Sequence, residues 1–441
     1  MTQAESTEQL ISRIIDNGQV SIQQVLVIVL CLMFNMLDGF DITAMAVVAN
    51  TVGQELSLSA DRLGFIFSFA LAGMMIGAML LAPLSDIFGR RNMIIASLLL
   101  VSVSILFTAK ADSLFEFIVL RFFSGLGAGA MLACQATLAS EYSPDKYRAL
   151  SVGIVTAGYP MGAMMTSVIA GYVMPDYGWR GMFLFGGGVT LIMTIVALLL
   201  IPESLKFLFD RRPAKALQRA NRILKKLKKD TLTVLPDIHA VEIPHSGLAG
   251  NMRNLLHPSI RSTTLILWAA FFMCFATLYV LMSWIPRLVE DAGHGFQVGR
   301  DAFFWFNFGG VVGILTMGIL STRFILSNVI SLMALGAAIC MVVFASIDLT
   351  LSLMMGLIFL IGVLQQGGFT GLYAAASKAY PTAIRTTGIG WAIGLGRSGA
   401  VIGPVIAGYL IAADFNMSSI FYLFAIPMIV GSFMAYTLKI K

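Results

Sequence analysis

Apolar runs of about 20 residues recur along this chain, and a helix of that length crosses the hydrocarbon core of a bilayer. Inside that core every backbone N–H and C=O needs an internal partner, which only helices and closed barrels supply. Twelve runs are legible, at 23–49, 63–84, 92–109, 115–139, 149–173, 180–201, 263–286, 302–320, 326–346, 350–373, 386–411 and 418–438. Composition agrees: of 441 residues 58% are hydrophobic and 12% charged, against about 25% charged in a soluble globular chain. Too little polar surface exists to cover a water-soluble core of this size. A soluble enzyme, a disordered chain and a fibre are therefore excluded, and the expected fold is an all-α polytopic membrane protein with twelve transmembrane helices.

Residues 1–21 are polar and acidic, not basic then apolar, so they read as an uncleaved tail and not as a signal peptide. An even number of crossings puts both ends on one side, and Lys and Arg decide which. The tails and the even-to-odd loops hold 22 of them, twelve within 202–262, while the opposite loops hold five: Arg62, Lys110, Arg180, Arg287 and Arg300. Both termini are expected to be cytoplasmic. The expected organisation is a tail over 1–22, a six-helix bundle over 23–201, a basic linker over 202–262 and a second six-helix bundle over 263–441. The net charge of +6 has its excess in that linker, between Lys206 and Lys229. No aromatic platform interleaves its cations, so an anionic inner leaflet is the expected neighbour and no nucleic acid is implied.

The chain also repeats itself. Shifted by 237 residues, Ala139–Tyr172 falls on Ala376–Tyr409 with twelve of 34 positions identical. Pro144 meets Pro381, Arg148 meets Arg385, Gly153 meets Gly390, and both segments end in Val-Ile-Ala-Gly-Tyr. Spans four and five thus correspond to spans ten and eleven. Duplicated halves joined by a linker are the layout of rocker-switch transporters, with substrate held between the halves near the midplane.

Between spans two and three stands Ala82-Pro-Leu-Ser-Asp86-Ile-Phe-Gly89-Arg90-Arg91, which resembles the inner-loop signature of the major facilitator superfamily. Ala82 replaces its leading glycine and Ile87 its basic residue, while Ser321-Thr322-Arg323 keeps only the arginine of the second copy. Arg121-Phe-Phe-Ser-Gly125-Leu-Gly127-Ala-Gly129 and Glu141-Tyr-Ser-Pro144-Asp-Lys-Tyr-Arg148 are similar to further motifs of that superfamily. Asp38-Gly39-Phe40-Asp41 resembles the signature of its aromatic acid:proton symporter branch. The resemblance implies a multi-pass protein of the bacterial inner membrane, working as a monomer on a small organic anion, with the proton gradient as its energy source and no cofactor. It also implies a gating role for Asp86, Gly89, Arg90, Arg91, Glu141, Arg148 and Arg385.

Two carboxylates three residues apart in an apolar helix share one face, and each costs about 2.5–3.5 kcal/mol at mid-membrane. Asp38 and Asp41 are candidate proton carriers, because two close carboxyls in low dielectric resist joint ionisation. The plainer alternative is a polar pair at a kink by Gly39. Arg121 and Arg397 are the two arginines placed inside spans, and a buried guanidinium needs an anionic partner. Arg397 is assigned to the substrate carboxylate, which its donor fork fits, and Arg121 to the charge network of the aspartates. Arg121 is alternatively a structural pair, and Arg397 alternatively snorkels or pairs with Asp38 across the cavity. Gln365, Gln366, Tyr159, Asn307 and Trp391 complete the candidate substrate site. A minority of the rings at Phe303, Phe304, Trp305, Phe306, Phe308, Trp284 and Tyr373 is expected to line it, since membrane aromatics more often face lipid or its interface. Asn35 and Gln135 either bind substrate or bridge helices.

Gly394-x-Gly396-x-x-Gly399 fits a dinucleotide fingerprint in form, but within an apolar helix it reads as close packing. The four cysteines lie apart in apolar runs, and the four histidines, His239, His245, His257 and His294, stand in loops without acid or cysteine clusters, so no metal is expected. No zinc-binding, nucleophile-elbow or phosphate-loop pattern supports an enzyme. A receptor would append a larger signalling domain. Import of an aromatic carboxylate by proton symport is the expected activity, and proton-driven export of drugs or anionic antibiotics is the alternative.

Overall fold

The computed structural model describes residues 7–16, 20–235, 255–258, 260–347, 350–380 and 385–438. Among them every regular element is helical. The order is α1 (Thr7–Asp16), α2 (Ile22–Glu55), α3 (Ala60–Ile76), α4 (Ser85–Phe88), α5 (Arg90–Thr108), α6 (Leu114–Glu141), α7 (Asp145–Leu200), α8 (Leu205–Arg211) and α9 (Ala216–Lys226). There follow α10 (Arg261–Asp291), α11 (Phe296–Arg323), α12 (Leu326–Ser346), α13 (Leu351–Ala379), α14 (Arg385–Ala412) and α15 (Met417–Thr437). A π turn at Gly77–Leu81 and a 3-10 turn at Ala82–Leu84 carry α3 into α4. Helix α2 starts at a capping box: the Ser21 hydroxyl accepts from Gln24 N–H, and the Gln24 side chain accepts from Ser21 N–H at 2.8 Å. Two donors that the first turn leaves orphaned are thereby satisfied.

Among the described residues eleven helical stretches are long and apolar enough to cross a membrane, where twelve were expected. The difference lies in α7, whose 56 residues would extend about 84 Å at 1.5 Å each. One hydrocarbon core is about 30 Å thick. Gly178 interrupts the helical backbone with φ 60° and ψ −166°, just after Pro175, and the kink divides α7 into two rods without a loop between them. The rods correspond to expected spans five and six. Large apolar side chains such as Leu332 and Phe433 cover the outside of the bundle, as they do when the solvent is lipid.

Packing within each half repeats as the sequence does. Gly125 of α6 lies directly against the Ala70 carbonyl of α3, and Gly73 of α3 and Gly77 of the π turn lie against the carbonyls of Phe122 and Leu126. In the second half Gly362 of α13 meets the Phe306 carbonyl of α11, and Gly309 and Gly313 of α11 meet those of Phe359 and Val363. Gly125 and Gly362 are related by the 237-residue shift (362 − 125 = 237). A Cβ at any of these places would strike backbone, which cannot swing aside. Small residues buy this approach where no hydrophobic effect drives helix against helix.

A small cap covers the linker end of the first half. Ile11 and Ile15 of α1 are buried together with Leu208 of α8 and Leu224 of α9. The Asp16 carboxylate accepts from the Asp145 N–H at 2.7 Å, satisfying an orphan donor at the start of α7.

The halves meet at the other end. Asn50 at the end of α2 donates to Glu290 at the end of α10 at 2.6 Å. Gly64 of α3 lies against the Pro404 carbonyl of α14, and Gly408 against that of Ala60. The rings of Phe67 and Trp284 cross edge to face at 5.2 Å, and those of Phe65 and Tyr409 at 6.1 Å. Arg300 of α11 lies over Gly171 of α7. All these contacts sit at the end remote from the linker, so the halves are closed there. Asn50→Ala removes the one hydrogen bond among them. Spin labels at Ser59 and Ala292 are expected to show a larger population of long distances in the variant, and an unchanged distribution would mean that this bond does not hold the end shut.

Candidate functional site

Asp38 and Asp41 share a face of α2 and are both buried, at 0% and 1% exposure. Gly39 between them lets the Tyr159 backbone carbonyl of α7 come into contact with α2, where a Cβ would collide. That close approach brings the Tyr159 side chain beside Asp38.

Asp41 is occupied. Arg121 of α6 donates from Nη2 to Asp41 Oδ1 and from Nη1 to the Asp41 carbonyl, the latter at 2.9 Å. The Phe183 ring centre lies 5.1 Å from the guanidinium carbon, a distance at which the face of a ring attracts a cation. Arg121 is thus committed to Asp41, with 1% exposure.

Asp38 is open by contrast. Neither of its oxygens has a hydrogen-bond partner in the protein. Arg397 of α14 faces it from the other half, and Tyr159 and Tyr279 of α10 stand in the same group. Arg397 Nε and Tyr159 Oη are likewise buried without a partner. Symmetry accounts for the meeting: 159 + 237 = 396, so Tyr159 and Gly396 hold equivalent places in the two halves, with Arg397 next in line. Beside this group the rings of α10 and α13 form a wall. Phe275 meets Phe369 at 4.7 Å, Phe271 meets Tyr373 at 5.3 Å, and Tyr279 stacks on Phe275 at 6.0 Å. Gly396 lies against Phe271 and Phe275, which seats the α14 turn carrying Arg397 on that wall.

The other expected substrate residues have different surroundings. Gln365 donates to the Cys274 carbonyl at 3.1 Å and keeps its own carbonyl oxygen unpartnered. Gln366 fills the space over Gly310 between α13 and α11. Asn307 donates to the Phe303 carbonyl one turn earlier at 2.9 Å. Trp391 packs on Trp268 at 6.3 Å between ring centres. No hydrogen bond given by the structure joins these four to Asp38, Tyr159 or Arg397. Asn35 and Gln135 bridge helices: Gln135 donates to Asn35 at 3.0 Å, and Asn35 to the Val155 carbonyl at 2.6 Å. Phe304, Trp305 and Phe308 pack on one another, with Trp305 and Phe308 exposed at the bundle surface.

The gating candidates gather at the linker end. Arg90 pairs with Asp86 at 2.7 Å and lies 3.5 Å from Glu141. Gly89 has φ +95°, and a Cβ there would enter the Glu203 carboxylate. Arg91 N–H donates to Glu203 Oε1 at 3.1 Å, while its guanidinium donates to the carbonyls of Ile201 and Leu198 at 2.8 and 2.6 Å. Tyr142 donates to the Glu203 carbonyl at 2.6 Å. Burial pushes the Glu203 carboxyl above its ordinary value, against the pull of the Ser204 and Arg91 backbone N–H groups. These bonds fasten the turn after α3 to the ends of α6 and α7. Arg148 stands apart, paired with Asp145 at an exposed position. The side chain of Arg385, together with Pro381, His239 and His245, lies outside the described residues.

Sequence reasoning missed Tyr279, Phe275, Phe369 and Glu203. The three rings sit in strongly apolar helices that offer no contrast with their neighbours, whereas Glu203, an acid directly after Ile201-Pro202 and opposite three basic residues at 90, 91 and 206, was a signal within reach.

Comparison with known proteins places this geometry among others. The family model described as Major Facilitator Superfamily matches residues 28–305 and 301–440. The 4-hydroxybenzoate transporter PcaK of Acinetobacter baylyi is 30% identical, over 94% of this chain and 91% of its own. The gallate transporter of Pseudomonas putida is 30% identical over the same shares, 94% and 91%. The benzoate transport protein of Acinetobacter baylyi is 26% identical over 97% and 92%. Among solved structures, the inward-open xylose transporter XylE from E. coli superposes with a TM-score of 0.73 at 16% identity, covering 94% of this chain and 96% of that one.

Truncating one member of a buried ion pair strands the other charge, at a cost of about 3–5 kcal/mol. Arg121→Met is therefore expected to lower the thermal midpoint of the purified protein markedly, and adding Asp41→Asn to restore most of the loss. Unfolding followed by tryptophan fluorescence decides this, and equal midpoints for Arg121→Met and wild type would show that the pair is not stabilising.

Proposed function

The chain belongs to the Major Facilitator Superfamily, and from that premise we propose that it is a secondary transporter of small aromatic carboxylates, imported with protons. The observation that carries the reading is the open set between the halves: Asp38 and Arg397 are buried, Tyr159 is half-buried with its hydroxyl inside, and the three have polar atoms without protein partners. A planar carboxylate answers the Arg397 fork, as Arg binds carboxylates by paired donors. Relatives whose names specify 4-hydroxybenzoate, gallate and benzoate support the aromatic acid.

In this reading Asp38 exchanges the proton. A carboxyl with no donor to hold its charge is neutralised by a proton or by a facing cation, and Arg397 is the facing cation. Substrate and proton then compete and cooperate around one guanidinium. When the acid occupies Arg397, Asp38 loses its counter-charge and takes a proton; when the acid leaves, Arg397 returns to Asp38 and the proton goes. Asp41 and Arg121 hold the α2 face in place behind it. The closed end becomes the outer gate of a protein of the bacterial inner membrane, and the Lys and Arg bias supports a cytoplasmic side for the linker, both termini and the cluster around Arg90. Rocking of the halves about the centre exposes the set to each side in turn. A single chain contains the whole path and acts as a monomer in this scheme.

Uptake of labelled 4-hydroxybenzoate and benzoate into energised right-side-out and inverted vesicles tests the proposal. Accumulation in right-side-out vesicles that collapses with a protonophore is expected. Accumulation in inverted vesicles alone would make the protein an exporter. Arg397→Lys replaces a two-pronged donor with a point charge, and an affinity loss of about 10-fold or more is expected from one lost charged hydrogen bond. Equal half-saturation in wild type and variant would remove Arg397 from the substrate.

A further inference from the structure

The unpartnered atoms between the halves form a small inventory. Asp38 offers two acceptors, Arg397 Nε one donor, and Tyr159 Oη a group that both donates and accepts. A carboxylate brings acceptors alone. It satisfies the donor on Arg397, but a plain aromatic acid gives Asp38 no donor and leaves the Tyr159 hydroxyl buried and unpaired, which costs affinity. A ring hydroxyl brings what the carboxylate lacks, a donor and an acceptor on one atom.

Two phenols, one from each half, stand beside these groups. Tyr159 comes from α7 in the first half, and its backbone is set by the contact with Gly39. Tyr279 comes from α10 in the second half, with its ring stacked on Phe275 at 6.0 Å. The two phenol groups face each other beside Asp38 and Arg397, yet Tyr159 Oη has no aligned hydrogen-bond partner.

We propose that the Tyr159 and Tyr279 hydroxyls together read the ring hydroxyl of a hydroxylated aromatic acid, so that the site prefers such acids over the unsubstituted one. The proposal rests on the reading above, in which Arg397 takes the carboxylate. Because one phenol comes from each half, a hydroxyl held between them is bound best at one approach of the halves, which ties selectivity to conformation.

Equilibrium titration of the purified full-length protein in lipid nanodiscs tests this, with benzoate and 2-, 3- and 4-hydroxybenzoate as probes. Wild type is expected to bind at least one hydroxybenzoate more tightly than benzoate. Tyr159→Phe is expected to weaken that hydroxybenzoate by about tenfold, the worth of one hydrogen bond at the upper end. Benzoate should bind the variant equally or more tightly, since the buried hydroxyl it left unpaired is gone. Tyr279→Phe should shift the preference in the same direction. This opposite movement of two ligands is not what a packing defect produces, and benzoate binding shows that the variants are folded. Equal losses for all acids, or an unchanged preference in both variants, would overturn the inference while leaving Arg397 as the carboxylate ligand. A wild-type protein that binds none of the acids would overturn that underlying reading, and this one with it.

Discussion

A charge buried where lipid and close-packed helices exclude water must find a partner, and the arrangement of this molecule follows from how four charges inside its spans do so. Asp41 and Arg121 close on each other within the first half. Asp38 and Arg397 come from opposite halves and face without a hydrogen bond. The first pair is a fixed part of the scaffold, since breaking it strands a charge. The second changes whenever the halves move, because its members travel on different bundles. In the function proposed above, Asp41 holds the scaffold, and its neighbour, three residues earlier on the same face, exchanges the proton.

The scaffold that carries these charges is made of backbone contacts. Glycines of α3 and α6, and of α11 and α13, bring helices together at carbonyl distance, and two of them, Gly125 and Gly362, are related by the internal repeat. Between the halves the contacts are Gly64 and Gly408 against the carbonyls of Pro404 and Ala60, one carboxylate hydrogen bond, two edge-to-face ring pairs and an arginine over a glycine, at the end remote from the linker. A seam confined to one end is compatible with rocking of one half against the other.

Much of this was legible in the sequence. Apolar runs yielded the spans, because a lipid core imposes length on any helix that crosses it. The loop between spans five and six was not foreseen as a kink at Gly178, since a Pro-x-x-Gly turn and a short loop look alike in a linear pattern. Asp38, Asp41, Arg121 and Arg397 stood out because ionisable residues are rare at depth, and the structure brings them together in two pairs. Gln365, Gln366 and Asn307 stood out for the same reason, yet Gln365 and Gln366 engage neighbouring helices and Asn307 its own helix one turn earlier, and none is hydrogen-bonded to that set. Polarity marks a residue that needs a partner without saying whether the partner is a helix or a ligand. Tyr279 and the rings of Phe275 and Phe369 gave no signal, because an aromatic residue in an apolar helix is ordinary until its facing residues are known.

The account turns on Asp38 taking a proton when an aromatic acid occupies Arg397. Proton uptake can be read directly, by adding 4-hydroxybenzoate to the purified protein in weakly buffered solution with a pH indicator, for wild type and for Asp38→Asn. The account predicts alkalinisation with wild type and none with Asp38→Asn, although the variant still binds the acid. Equal proton uptake by both proteins on binding would contradict it, and would place the coupling proton on another group.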